Sequence, residues 1–141
     1  MNRIVMILSE IKLEGKMRHM IIEARVNQSY FRNCLISKYK KCCLCNVSSN
    51  ELLIASHIKP WSASNKYEKL DEDNGLLLYP NHDALFDSGY ISFDDNGRIL
   101  ISNSLSKNEY IFMNVNINMR IEINNQSKKY LKYHRENIFR G

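Results

Sequence analysis

Three observations predict an α+β domain. Two apolar runs of strand length, Leu52-Leu53-Ile54-Ala55 and Leu76-Leu77-Leu78-Tyr79, bracket a polar stretch, and prolines Pro60 and Pro80 follow them closely. Asp95-Asn96-Gly97 separates the alternating residues Tyr90, Ile91 and Phe93 from Ile99 and Ile101, the signature of a β-hairpin. Helical spacing of apolar residues appears over residues 25–41 and 128–139. The expected order is a helix, then a strand–loop–strand–helix core over residues 51–87, then a hairpin and a closing helix.

Residues 1–24 read as an N-terminal extension that mixes apolar and basic residues, with Gly15 as a break. Its run Ile4-Val5-Met6-Ile7-Leu8 is too short to cross a bilayer, and no small-residue cleavage site follows. No membrane association is expected, and a cytoplasmic location is. Asn27 or Ser29 can cap the first helix, with Tyr30, Phe31, Cys34, Leu35 and Tyr39 on its apolar side and Arg32, Lys38, Lys40 and Lys41 outward. Cys42 and Cys45 form a C-x-x-C pair just before the first strand, which delivers Ser56 and His57 at its end. Residues 61–73 are nearly all polar and read as a surface loop, with Trp61 expected to pack beside Pro60.

Asn74-Gly75 opens the second strand, and Asn81 can cap a short helix on which Asp83 and Asp87, four apart, share one face. Residues 119–123 alternate as a short strand. In the closing helix Tyr130, Leu131, Tyr133, His134 and Phe139 can pack inward, and His134 is expected to be a core histidine satisfied by a partner.

A chain of 141 residues with 44% hydrophobic content fits one domain with a real core. Four cysteines, three of them at Cys42, Cys43 and Cys45, do not form a secreted disulfide framework, because such close neighbours bridge poorly. The net charge of +5 is unevenly spread. Through Lys41 there are nine Lys or Arg against three acids, from Cys42 to Leu100 four against nine, and from Ile101 onward seven against three. Basic flanks around an acidic centre suit a site that holds a cation and meets a polyanion.

The strings that carry the site residues resemble a known family. His57, Asn74 and the pair His82-Asp83 fall where HNH endonucleases carry their H, N and H, within SHIKPW, NGLLL and LFDSGYISF strings similar to a bacterial restriction or defence subclass. RVNQSYFR before the core and YHRENIF at the end extend the resemblance to about residues 25–140. The resemblance implies a ββα-metal core and a metal-dependent DNA endonuclease that uses one divalent ion, Mg²⁺ or Mn²⁺. It further implies His57 as general base and Asn74 as the residue that holds the loop orienting it.

Asp83 and Asp87 would hold the ion, with His82 as the alternate ligand, since neighbours on a helix diverge by about 100°. Many relatives carry a carboxylate where Ser56 stands. Relatives also pair their C-x-x-C with two further ligands at the positions of Tyr79 and His82. Here Cys42, Cys45 and His82 leave three ligands for a structural zinc, with Cys43 an awkward fourth, so a metal-free turn is favoured over zinc. Arg25, Arg32 and Lys59 are the expected phosphate contacts. Relatives tend to nick one strand per site, so duplex cleavage would call for a homodimer or two events. The alternative is an HNH-fold DNA-binding module that has lost catalysis.

Overall fold

The computed structural model describes residues 15–141. Helix α1 (Gly15–Tyr39) buries Phe31 and Leu35, which stand four apart and so share one face. Asn27 and Ser29 lie inside this helix and cap nothing, so the expected helix start near residue 27 is corrected. The helix stops at Lys40, whose φ of 65° lies in the left-handed region that cannot continue a right-handed helix. The apolar run at residues 4–8 lies outside the described residues.

Strands β1 (Ile54–His57) and β2 (Gly75–Leu78) pair antiparallel, with Ser56 opposite Leu76 and His57 opposite Gly75. All four residues of β2 are buried, because α1 crosses one face and the following helix covers the other. Gly75 is required by that crossing: a Cβ there would sit 2.6 Å from Phe31 Cζ and 2.7 Å from Leu35 Cδ1. The link between the strands is not the plain loop expected. It holds a 3₁₀ turn at Trp61–Ala63, the short helix α2 (Lys66–Leu70) and a second 3₁₀ turn at Glu72–Asn74. A capping box made by Asn65 and Glu68 explains how so polar a stretch forms α2.

Helix α3 (Pro80–Asp87) begins with proline in its first turn, where a missing N–H costs nothing. Its N-cap is Tyr79, so the expected cap at Asn81 is corrected too. Strands β3 (Ile91–Phe93) and β4 (Ile99–Ile101) form the expected hairpin, with Asp94 Oδ1 accepting from the Asn96 and Arg98 N–H groups and Gly97 at φ 81°. The strand expected over 119–123 is reduced to a bridge between Arg98 and Arg120. Helix α4 (Asn125–Asn137), capped by Asn124, buries Tyr130, Leu131 and His134.

The architecture is α+β: a ββα core flanked by an N-terminal helix, a hairpin and a C-terminal helix. One core joins Leu35, Leu77, Phe86, Phe93 and Leu131, all essentially without solvent contact. All four cysteines are free thiols. No helix among the described residues is long and apolar enough to cross a membrane.

Candidate active site and the adjoining cysteine cluster

Successive residues of a strand face opposite ways, and at the end of β1 this separates two neighbours. Ser56 is buried toward α3, its hydroxyl 3.4 Å from Asp87 Oδ1. His57 turns toward α1 and stacks on Phe31, ring centroids 3.9 Å apart and planes 4° from parallel. Its Nε2 lies 2.9 Å from the Lys69 carbonyl. A carbonyl only accepts, so the proton resides on Nε2 and the lone pair on Nδ1. Desolvation lowers the pKa of His57, against the opposing pull of the Lys69 carbonyl, so the ring is neutral at pH 7. The ring keeps part of its surface in solvent.

Asn74 is fully buried and sits behind the link rather than facing an open site. Its Oδ1 accepts from the Lys59 N–H at 2.8 Å, and its Nδ2 donates to the Glu68 carbonyl at 3.0 Å. One side chain thereby joins the two ends of the segment whose next residue, Lys69, anchors His57. Neither Phe31 nor the Lys69 carbonyl is announced by the sequence motifs. Phe31 appears there only as one apolar residue among several.

On α3, Asp83 and Asp87 come together beside Ser56. Desolvation raises the pKa of Asp83, partly offset by Ser56. Desolvation and then the charge of Asp83 push Asp87 up to about 6. Asp83 Oδ1 is buried and accepts no hydrogen bond. A buried anionic oxygen without a donor is costly, and with a second carboxylate of raised pKa beside it the place is short of positive charge. The donor set is hard oxygen, which fits Mg²⁺ or Mn²⁺.

His82 departs from that group. It is fully buried, donates through Nε2 to the Asn114 carbonyl at 2.8 Å and turns Nδ1 to within 3.6 Å of Cys42 Sγ. Among the described residues, Cys42, Cys45 and His82 are the group of three whose ligand atoms all lie within 4.8 Å of one another. The structure thus brings His82 to the cysteines and not to Asp83 and Asp87, which corrects its place as alternate ligand there. Burial alone would raise the Cys42 thiol, yet its hydrogen bond with His82 Nδ1 and those it accepts from the N–H groups of Tyr79 and Leu44 bring it down to about 7. Cys43 stands apart, and burial pushes its thiol up to about 12. Two thiols and an imidazole fit zinc in chemistry, while the Tyr79 phenol accepts a hydrogen bond from Asn81.

Two of the expected phosphate contacts are already occupied. Arg32 directs both guanidinium nitrogens to the carbonyls of Leu53 and Asn50, and Lys59 pairs with Glu68 at 3.0 Å. Arg32 thus fastens the turn before β1, and Lys59 fastens the link between the strands. Arg25 is half-buried on α1, two turns before Arg32. Trp61, expected in the core, is instead 46% exposed.

His134 fulfils its expected structural role. Its Nδ1 accepts from Ser92 Oγ at 2.8 Å, its Nε2 donates to the Phe86 carbonyl at 2.8 Å, and its ring stacks on the Phe86 ring at 3.8 Å. Desolvation lowers its pKa to about 4, so it is neutral and clamps the end of α3 beside Asp87. Arg135 bonds the Phe93 carbonyl and Asp95 and is likewise structural.

The core is ordered as strand, strand and helix around His57, Asn74 and Asp83. Residues 42–94 match the HNH endonuclease family. The matched segment covers both core strands, α3 and the first strand of the hairpin, while Phe31 and His134 lie outside it. Among solved structures, a modification-dependent TagI restriction endonuclease is similar at 19% identity and a TM-score of 0.48, over 74% of this chain and 35% of that one. This chain thus spans about a third of that protein's length. No curated protein matches.

Proposed function

We propose that this chain is a metal-dependent DNA endonuclease, of restriction or defence type, with His57 as general base. The observation that carries the reading is the carboxylate pair Asp83 and Asp87, one with an orphaned buried oxygen, on the helix packed against the strand whose last residue, His57, presents a neutral imidazole with its lone pair on Nδ1. In this reading His57 Nδ1 takes a proton from water as the water oxygen adds to phosphorus and one ester bond breaks. Lys69 keeps the opposite ring nitrogen protonated, Phe31 fixes the ring plane, and Asn74 holds the link that carries Lys69. Asp83 and Asp87 would hold Mg²⁺ or Mn²⁺, which supplies Lewis-acid stabilisation of the charge that builds on the phosphate. Cys42, Cys45 and His82 would hold zinc as a structural clasp, with the fourth position filled from outside this trio.

A DNA-binding module without catalysis is the competing reading, and Ser56 in place of a carboxylate favours it. Plasmid nicking with Mg²⁺ or Mn²⁺, with and without EDTA, separates the two. Activity that needs metal and falls by about 10²-fold or more in His57→Ala is expected for the nuclease. Tight binding without cleavage under every metal would establish the module instead.

A further inference from the structure

Trp61 is the chain's single tryptophan, and it is kept out of the core. It follows Pro60 at the start of a 3₁₀ turn and leaves nearly half of its surface in water. The ring is nevertheless held in place. Lys69 Nζ lies 3.9 Å from its centroid, a cation–π distance. The backbone on either side is fixed too: Ser64 Oγ donates to the Pro60 carbonyl at 3.0 Å, and the buried Asn74 amide reaches Ser64 Oγ at 3.4 Å.

Lys69 links this ring to the imidazole. Its side chain lies over Trp61, and its carbonyl accepts the Nε2 proton of His57 at 2.9 Å. The exposed aromatic and the proposed base are thus tied to one residue, one through the side chain and the other through the backbone. A fixed indole with an ammonium over one face offers its other face to a flat partner. Lys69 adds the positive charge that a neighbouring phosphate would meet, and Lys66 stands exposed one turn earlier on α2.

We infer that Trp61, backed by Lys69, is a stacking platform for an unstacked base of the nucleic acid next to the scissile phosphate. The inference rests on the nuclease reading and names what that site prefers. A base inside an intact duplex has both faces covered, so the platform favours single strands, or duplexes with an unpaired or extruded base. Stacking on an indole is tolerant of base identity, so Trp61 selects for local opening and not for sequence.

The test uses the whole chain, without added divalent ion, titrated with a short fluorescein-labelled oligonucleotide as a single strand and as its duplex. Tryptophan emission reports Trp61 alone, and fluorescein anisotropy reports affinity in every variant. Quenching by the single strand is expected, with Trp61→Ala binding it about tenfold more weakly and Trp61→Phe within about threefold of the parent. Lys69→Met should reduce affinity in the same direction by less than Trp61→Ala. Unchanged emission on saturation together with parental affinity in Trp61→Ala overturns the platform; if metal-dependent nicking persists in that variant, the nuclease reading stands without it. A chain that neither binds nor nicks any nucleic acid overturns both.

Discussion

The first turn of α3 gives two neighbouring residues to opposite chemistries. His82 points into a dry corner with Cys42 and Cys45, where every donor is sulfur or nitrogen and where Asn114 fixes the tautomer. Asp83 points to the strand side with Asp87 and Ser56, where the donors are oxygen and one of them has no partner. The first corner is internally satisfied and reads as structure. The second is electrostatically incomplete and reads as a place for a ligand. A rotation of about 100° per residue is enough to keep the two sets apart on one short helix.

The largest effect should come from breaking the satisfied corner. His82→Ala removes a buried ring and orphans the Asn114 carbonyl, and urea unfolding should show a loss of about 2–4 kcal/mol. Asp83→Ala should do the reverse: little or no loss of stability, with nicking reduced about a hundredfold or more. If both variants unfold equally easily, the contrast between the corners is wrong. Gly75→Ala is a sharper probe of what lies behind His57, since the added methyl meets Phe31 and Leu35 at under 3 Å. It should cost about 1–3 kcal/mol and disturb the ring stack, seen as a changed chemical shift of the His57 imidazole.

The smallest effect is the pH response, where two groups oppose each other. His134, depressed to about 4, contributes stability that is present above the ordinary histidine pKa and lost as pH falls from about 6.5 toward 4. Asp87, raised to about 6, lowers stability as pH climbs from about 4 through 6, so acidification relieves it. Because His134 is fully enclosed and Asp87 keeps part of its surface in solvent, the histidine should dominate. The thermal midpoint without metal should fall between pH 7 and 5, more steeply in Asp87→Asn and more shallowly in His134→Gln.

Legibility in the sequence followed the range of the forces involved. The two core strands and the hairpin were readable because apolar runs, alternation and Asp95-Asn96-Gly97 act over a few residues, and the motif spacing singled out His57, Asn74 and Asp83 as candidates. The cap expected at Asn27 or Ser29 failed because both lie inside α1, which already begins at Gly15. Arg32 and Lys59 look like phosphate contacts in one dimension, and only the folded chain shows the carbonyls and the carboxylate that engage them. The choice between His82 and Asp83 could be framed from helix geometry, but deciding it required knowing where the cysteines and Asn114 sit.

The clamp between His134 and Phe86 bears on how far this catalytic unit can be cut down or transplanted. A fragment trimmed to residues 42–94 would keep every signature residue, yet it would lack the stacking partner of His57 at Phe31 and the imidazole that pins the far end of α3. Borrowing the site for another scaffold would therefore mean carrying both terminal helices along, since Phe31 and His134 sit on them.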